Sequence, residues 1–276
     1  MIQGNITRAH DWNHLNELVF LNSWNEKLER YRSPYAFRGL ANAAWGLETS
    51  LMRLNHSTSM TRDLERVILR HFKKYAYDQS SQNYSDWQWL ALAQHHGLPT
   101  RLLDWTYSPF IAMHFATAEL DKFDLDGAIW CIDRSLARDR YLPDDLRDIV
   151  YREYAISFTM DMLEDYAADL VEFDDKVDMD NQHTSMIFFD PPTLDSRIVN
   201  QSAFFSLLSS PVADLGEWLR ERPDIWFKII IPAELKWEIR DKLDQMNITE
   251  RMLFPGLDGL SSWLKRYYSP RNPDEK

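Results

Sequence analysis

Residues 85–116 read SDWQWLALAQHHGLPTRLLDWTYSPFIAMHFA. This stretch constrains the fold more than any other. Ser85 and Gln88 form an S-x-x-Q capping box, so a helix is expected to open there. Gly97 with Pro99 just beyond it stops that helix. Ser108 then offers an N-cap and Pro109 a first-turn residue for the apolar helix FIAMHFATAEL. Two helices must therefore flank one bend, LPTRLLDWTY, which holds an Arg, an Asp, a Trp and several hydroxyls.

The rest of the chain alternates helical and strand patterns. Residues 11–32 read as a helix, with Trp12, Leu15, Leu18, Val19 and Leu28 near one face. Residues 33–39, SPYAFRG, read as a turn and a short strand ending at a glycine. Residues 61–78 read as an amphipathic helix striped by Leu64, Val67, Ile68, Phe72 and Tyr75. Asp63 and Glu65 fall in its first turn, where the helix dipole favours acids. AIWCI after Asp126-Gly127 reads as a strand, and IWFKIII before Pro232 as a buried one. RIVNQSAFFSLL reads as one or two strands, and AELKWEIRDKLDQM as a helix with Leu235, Ile239, Leu243 and Met246 inward. Residues 134–190 read as helices and loops. The pattern predicts one α+β domain, with a small central sheet flanked by helices and a mostly helical acidic insertion.

Composition narrows the function classes. With 43 acidic against 31 basic residues the net charge is −12, which disfavours non-specific nucleic-acid binding. Residues 161–180 carry nine acids and one lysine, a candidate docking segment for a basic protein partner. No run nears the roughly 18 apolar residues of a membrane span. The start, MIQGNITRAHDWN, has no apolar core of a signal peptide, so a cytoplasmic location is expected. The single cysteine, Cys131, lies in an apolar run and reads as an inert buried thiol. Adjacent His95 and His96 point about 100° apart on a helix and suit one metal ion poorly. With neither HExxH nor a Cys cluster, no metal site is expected. The glycine-rich nucleotide loops and the G-x-S-x-G elbow are also missing from the sequence.

AFRGL at 36–40, W-x-L-x-x-S-L-x-R at 45–53 and LALAQHHGLPTRLLDWTYSPFIAMHFA together resemble the FRG domain, named for its Phe-Arg-Gly signature. RIVNQSAFF, KIIIPAELKWEI and LFPGLDGL resemble its later motifs. The resemblance runs over roughly residues 20–265, with 1–19 as a lead-in and 266–276 as a polar tail. Leu40 departs from it, standing where a Gln is common. The resemblance implies a link to bacterial phage defence or toxin systems.

The order of motifs is also similar to the Arg–Ser–Glu plan of ADP-ribosyltransferases, a similarity that implies their split sheet. That similarity implies NAD as substrate and a macromolecular target. Arg38, beside Gly39 at a strand end, would hold the NAD phosphate or ribose, with Gly39 letting the ligand approach the backbone. Arg101, Thr106 and Ser108 would order the ligand, and Gln201 would stand where the family has its Glu. No carboxylate lies in RIVNQSAFF, so Asp104, Asp195 or Glu234 would have to supply the charge that an oxocarbenium-like transition state needs. A different reading makes Arg38, Arg101 and Asp104 a structural lattice of buried ion pairs in a non-enzymatic binding module.

Overall fold

The computed structural model describes residues 4–76, 84–180, 184–191 and 196–271. Among them, nine strands form one seven-stranded sheet and a small ribbon. The strands are β1 (Ile6–Arg8), β2 (Trp24–Asn25), β3 (Arg30–Tyr31), β4 (Tyr35–Leu40), β5 (Leu103–Thr106), β6 (Gly127–Asp133), β7 (Met186–Phe189), β8 (Ala203–Leu208) and β9 (Trp226–Ile231). The large sheet runs β1-β9-β6-β4-β5-β8-β7, and β2 pairs with β3. Only β1 and β9 run parallel; every other neighbouring pair is antiparallel.

The sheet is continuous but narrows at one seam. β4 pairs with β6 from Tyr35↔Asp133 to Leu40↔Ala128. β5 pairs with β8 from Leu103↔Ser206 to Thr106↔Ala203. Between β4 and β5 a single pair, Phe37↔Thr106, joins the two halves. Elsewhere along this seam the ladder is missing, so side chains must fill the gap.

Helices cover both faces. α1 (Trp12–Val19), α4 (Pro109–Ala116) and α11 (Lys236–Gln245) bury Leu15, Met113 and Ile239 against Phe37, Ile129 and Ile229. Strand alternation sends Trp130 and Ile132 to the other face, with Trp105, Phe204 and Trp218. Trp218 belongs to α10 (Leu215–Arg220). A third cluster joins α2 (Thr58–Ala76) and α3 (Asp86–His95) to α6 (Asp144–Arg152), α7 (Met160–Tyr166) and α8 (Leu170–Asp180), through Leu69, Trp87, Val150, Leu163 and Phe173. α5 (Arg134–Tyr141) follows β6, and α9 (Ser196–Asn200) precedes β8. α12 (Glu250–Leu253) and α13 (Leu257–Tyr267) end the fold.

The local signals in 85–116 are realised in hydrogen bonds. The Ser85 hydroxyl accepts from the Gln88 amide at 3.2 Å, and Gln88 accepts from the Ser85 amide at 3.0 Å. Gly97 takes φ +80°, a left-handed conformation that ends α3. Ser108 caps α4, accepting from the Ile111 amide.

Several expectations change. The helix expected over 11–32 ends at Val19, and Leu28 is exposed beside the β2–β3 ribbon. The bend contains a strand, β5, whose alternation is masked by its short length. RIVNQ is a short helix and a turn rather than a strand, so Gln201 sits at the entrance to β8. In α2 the buried stripe is Thr61, Glu65 and Leu69, while Val67 and Tyr75 are exposed. Met246 is exposed as well.

The acidic segment is part of the core. Leu163, Leu170, Phe173 and Val177 are buried there, and so is the acid Asp174. Asp174 and Glu65 together enclose Arg101. Its Nη1 meets Asp174 at 2.6 Å and its Nη2 meets Glu65 at 2.5 Å, with all three side chains no more than 7% exposed. No helix among the described residues is long and apolar enough to cross a membrane.

Candidate functional site

A cavity of about 530 Å³ opens at the β4–β5 seam. β4 contributes Phe37, Arg38 and Gly39; β5 contributes Asp104, Trp105 and Thr106. The end of α3 adds Gln94, His95 and His96, and α4 adds Phe115. Arg197, Ile198, Gln201, Ala203 and Phe205 close the far wall. Arg38, Asp104 and Gln201, distant in sequence, therefore line one space.

Arg38 fills the gap left by the missing ladder. Its Nη1 donates to the Asp104 carbonyl at 2.6 Å and lies 3.9 Å from the Asp104 carboxylate. The Arg38 side chain is 19% exposed, that of Asp104 55%. Asp104 thus faces Arg38 across the seam without being locked inside the core. Burial pulls the Arg38 pKa down; Asp104 opposes this, and the charge of Arg53 adds to it. A guanidinium remains protonated despite such a shift. Its Nε is buried and has no hydrogen-bond partner. Such a donor costs free energy until a ligand or water satisfies it.

The Asp104 carboxylate is oriented by a relay. Gln94 Nε2 donates to its Oδ2 at 2.8 Å, and Gln94 Oε1 accepts from the Thr100 hydroxyl at 2.6 Å. Among the described residues, Oδ1 has no protein partner, which leaves one carboxylate oxygen for a ligand. The QHHG sequence is a helix stop, and it also places three polar side chains on the cavity wall. The His95 and His96 rings stand edge to face with centroids 5.2 Å apart. Among the described residues no group of three His, Cys, Asp or Glu side chains could hold a metal ion.

The remaining sequence candidates also make contacts within the scaffold, and Gly39, Thr106 and Gln201 among them line the cavity. Thr106 donates to the Gln201 carbonyl at 2.8 Å and accepts from the Ser108 amide at 3.1 Å. The Thr106 hydroxyl thus joins β5, α4 and the turn before β8, while the Ser108 hydroxyl caps α4. Gln201 is buried, and its Nε2 donates to the Leu253 carbonyl at 3.0 Å. Arg101 does not reach the cavity, because Glu65 and Asp174 hold it. The lattice of Arg38, Arg101 and Asp104 therefore separates into two unconnected pieces. Gly39 is needed for packing: a Cβ there would lie 1.8 Å from the Ala112 carbonyl oxygen of α4. The missing side chain lets α4 seat on the strand, and Gly39 also lines the cavity. Glu234 pairs with Arg8 and does not line the cavity. Asp195 lies outside the described residues.

Residues 33–125 match the family described as FRG domain. The chain carries an FRG domain. No curated protein and no solved structure matches the chain. The FRG match contains Arg38, Gln94, Asp104 and Phe115, so one wall of the cavity belongs to it. The opposite wall, with Arg197, Gln201 and Phe205, comes from the chain beyond the matched residues. β6, which holds β4 in place over its whole length, also lies beyond the FRG match.

Sequence reasoning missed Gln94, Phe115 and Arg197 as cavity residues. The only signal for Gln94 was a polar side chain at a helix end beside the bend. For Arg197 there was none, because its helix was read as a strand.

Proposed function

We propose that this FRG-domain protein is an ADP-ribosyltransferase-like enzyme that cleaves NAD in the seam cavity and transfers ADP-ribose to a macromolecular target. The observation that carries this reading is the Arg38–Asp104 pair: a largely buried cation and a half-exposed carboxylate, both on the wall of a ligand-sized cavity. The carboxylate missing from RIVNQSAFF is thereby supplied from β5.

The chemistry assigns each residue a task. Arg38 would hold a phosphate of NAD through its fork of donors. The C1′–nitrogen bond to nicotinamide breaks, and its electron pair leaves with the nicotinamide. Asp104 would face the positive charge that grows on the ribose, where a fixed carboxylate lowers the barrier. A nucleophile on the target then bonds to C1′ and gives up its proton. Gln94 positions the carboxylate, and Gln201 fixes the turn that forms the far wall.

The test follows NAD labelled in the adenylate half, with cell extract as the target source. Label transfer or nicotinamide release by the wild-type chain is expected. Asp104→Asn should lower either signal about 100-fold or more, as removal of one preorganised electrostatic group does. Its melting temperature should stay near wild type, since the side chain is half exposed. A wild-type chain that neither releases nicotinamide nor transfers label sinks the proposal. A binding module without catalysis is then the better reading.

A further inference from the structure

The W-x-L-x-x-S-L-x-R stretch has an architecture that the seam cavity does not use. Leu47 and Leu51 are buried at 1% exposure each and anchor the loop. Ser50 pins it to Thr100, accepting from the Thr100 amide at 3.0 Å and donating to its carbonyl at 3.3 Å. With Leu47, Ser50 and Leu51 fixed inward, Trp45 and Arg53 line a second cavity, of about 560 Å³. Glu48, Phe115 and Glu119 line it too.

This second cavity adjoins the first. Arg38, Gly39 and Phe115 belong to the walls of both. Arg38 therefore stands at the junction, with its Nε unpartnered. Arg53 donates Nη1 to the Glu48 carbonyl at 2.7 Å. Among the described residues no carboxylate pairs with Arg53. Its charge is close enough to act on Arg38. Two guanidiniums lining one cavity repel each other; Asp104, 3.9 Å from Arg38, offsets the charge of one of them, and an anion bound between them would offset both. Trp45, 40% exposed, offers a flat aromatic surface beside them. Glu48 and Glu119 supply acceptors suited to hydroxyl groups. A pair of cations, an aromatic face and carboxylate acceptors match one ligand class.

We propose that the second cavity is a nucleoside-diphosphate subsite, in which Arg38 and Arg53 hold the phosphates and Trp45 stacks on the base. The proposal rests on the transferase reading only for the whole substrate, whose ADP half would lie here while the nicotinamide riboside half enters the seam. Trp45 and Arg53 are then specificity-determining residues of the groove.

The experiment is calorimetric titration of the full chain with ADP, inorganic pyrophosphate and adenosine. ADP binds the wild type. Arg53→Ala weakens both ADP and pyrophosphate about tenfold or more. Trp45→Ala weakens ADP about tenfold, as loss of base stacking does, and leaves pyrophosphate unchanged. Trp45→Phe keeps most of the ADP affinity. Both side chains are solvent-exposed, so thermal melts should match wild type and exclude misfolding as the cause. No ADP binding by the wild type, or binding indifferent to both substitutions, overturns the subsite. ADP binding that persists when NAD is not cleaved refutes the transferase and leaves the subsite standing. NAD cleavage without ADP binding does the reverse.

Discussion

Replacing Arg101 by Met tests the ion triad that ties the acidic segment to the FRG-matched residues. Arg101 is 3% exposed and donates to both Glu65 and Asp174. Its main-chain amide donates to Glu65 as well, at 3.1 Å. Removing the guanidinium leaves two buried carboxylates facing each other with no cation. Breaking a buried pair in this way costs about 3–5 kcal/mol. For a chain of this size each kcal/mol corresponds to roughly 2–4 °C in melting temperature, so the expected drop is roughly 6–20 °C. Thermal unfolding followed by circular dichroism measures it directly. The triple variant Arg101→Met, Glu65→Leu, Asp174→Leu should recover most of the loss, because an apolar triad no longer desolvates charge. A single variant that melts within about 2 °C of wild type, or a triple variant no better than the single, would refute the argument. The first result would mean that the triad is not buried in solution; the second, that packing rather than charge dominates there.

Other outcomes follow from the same geometry. His114 is fully buried and shares a hydrogen bond of 2.8 Å with Arg240, so Nδ1 must accept. Burial first, and then Arg240 and Arg266, hold its pKa well below 6.5. The unfolded chain therefore binds the extra proton more readily, and stability falls as pH drops below about 6.5, by up to about 1.4 kcal/mol per pH unit. Urea melts between pH 7.5 and 5 should show this slope, and His114→Gln should flatten it. Gly39→Ala should destabilise the fold by about 1–3 kcal/mol through overpacking, since its Cβ would overlap the Ala112 carbonyl. Melts that match wild type would mean that α4 can move away from β4.

How far the sequence could be read depends on how local each interaction is. The capping box at Ser85, the glycine stop at Gly97 and the Ser108–Pro109 start of α4 were all legible, because cap and partner lie within about four residues. The buried strands β6 and β9 were legible from continuous apolar runs. β5 was hidden because four residues, one of them Asp104, give too little alternation to register. Glu65 looked like a first-turn acid on α2 and proved to be a buried ion-pair partner. No periodicity marks that role, since its partner lies 36 residues away.

The site divides along the same line. Arg38, Asp104 and Gln201 could be nominated from residue type and motif order. Arg101 could be nominated equally well, and only its neighbours excluded it. By itself the sequence determined the α+β class, the helix ends around the bend and the polar character of the bend. Tertiary structure alone decided that β4 and β5 meet at one residue pair and that Arg38 fills the resulting gap beside Asp104. It also decided that Arg101 is neutralised by Asp174, 73 residues away, instead of by Asp104. The physical reason is range. Backbone capping is satisfied within a turn, whereas a buried charge must find its counter-charge wherever the fold brings one.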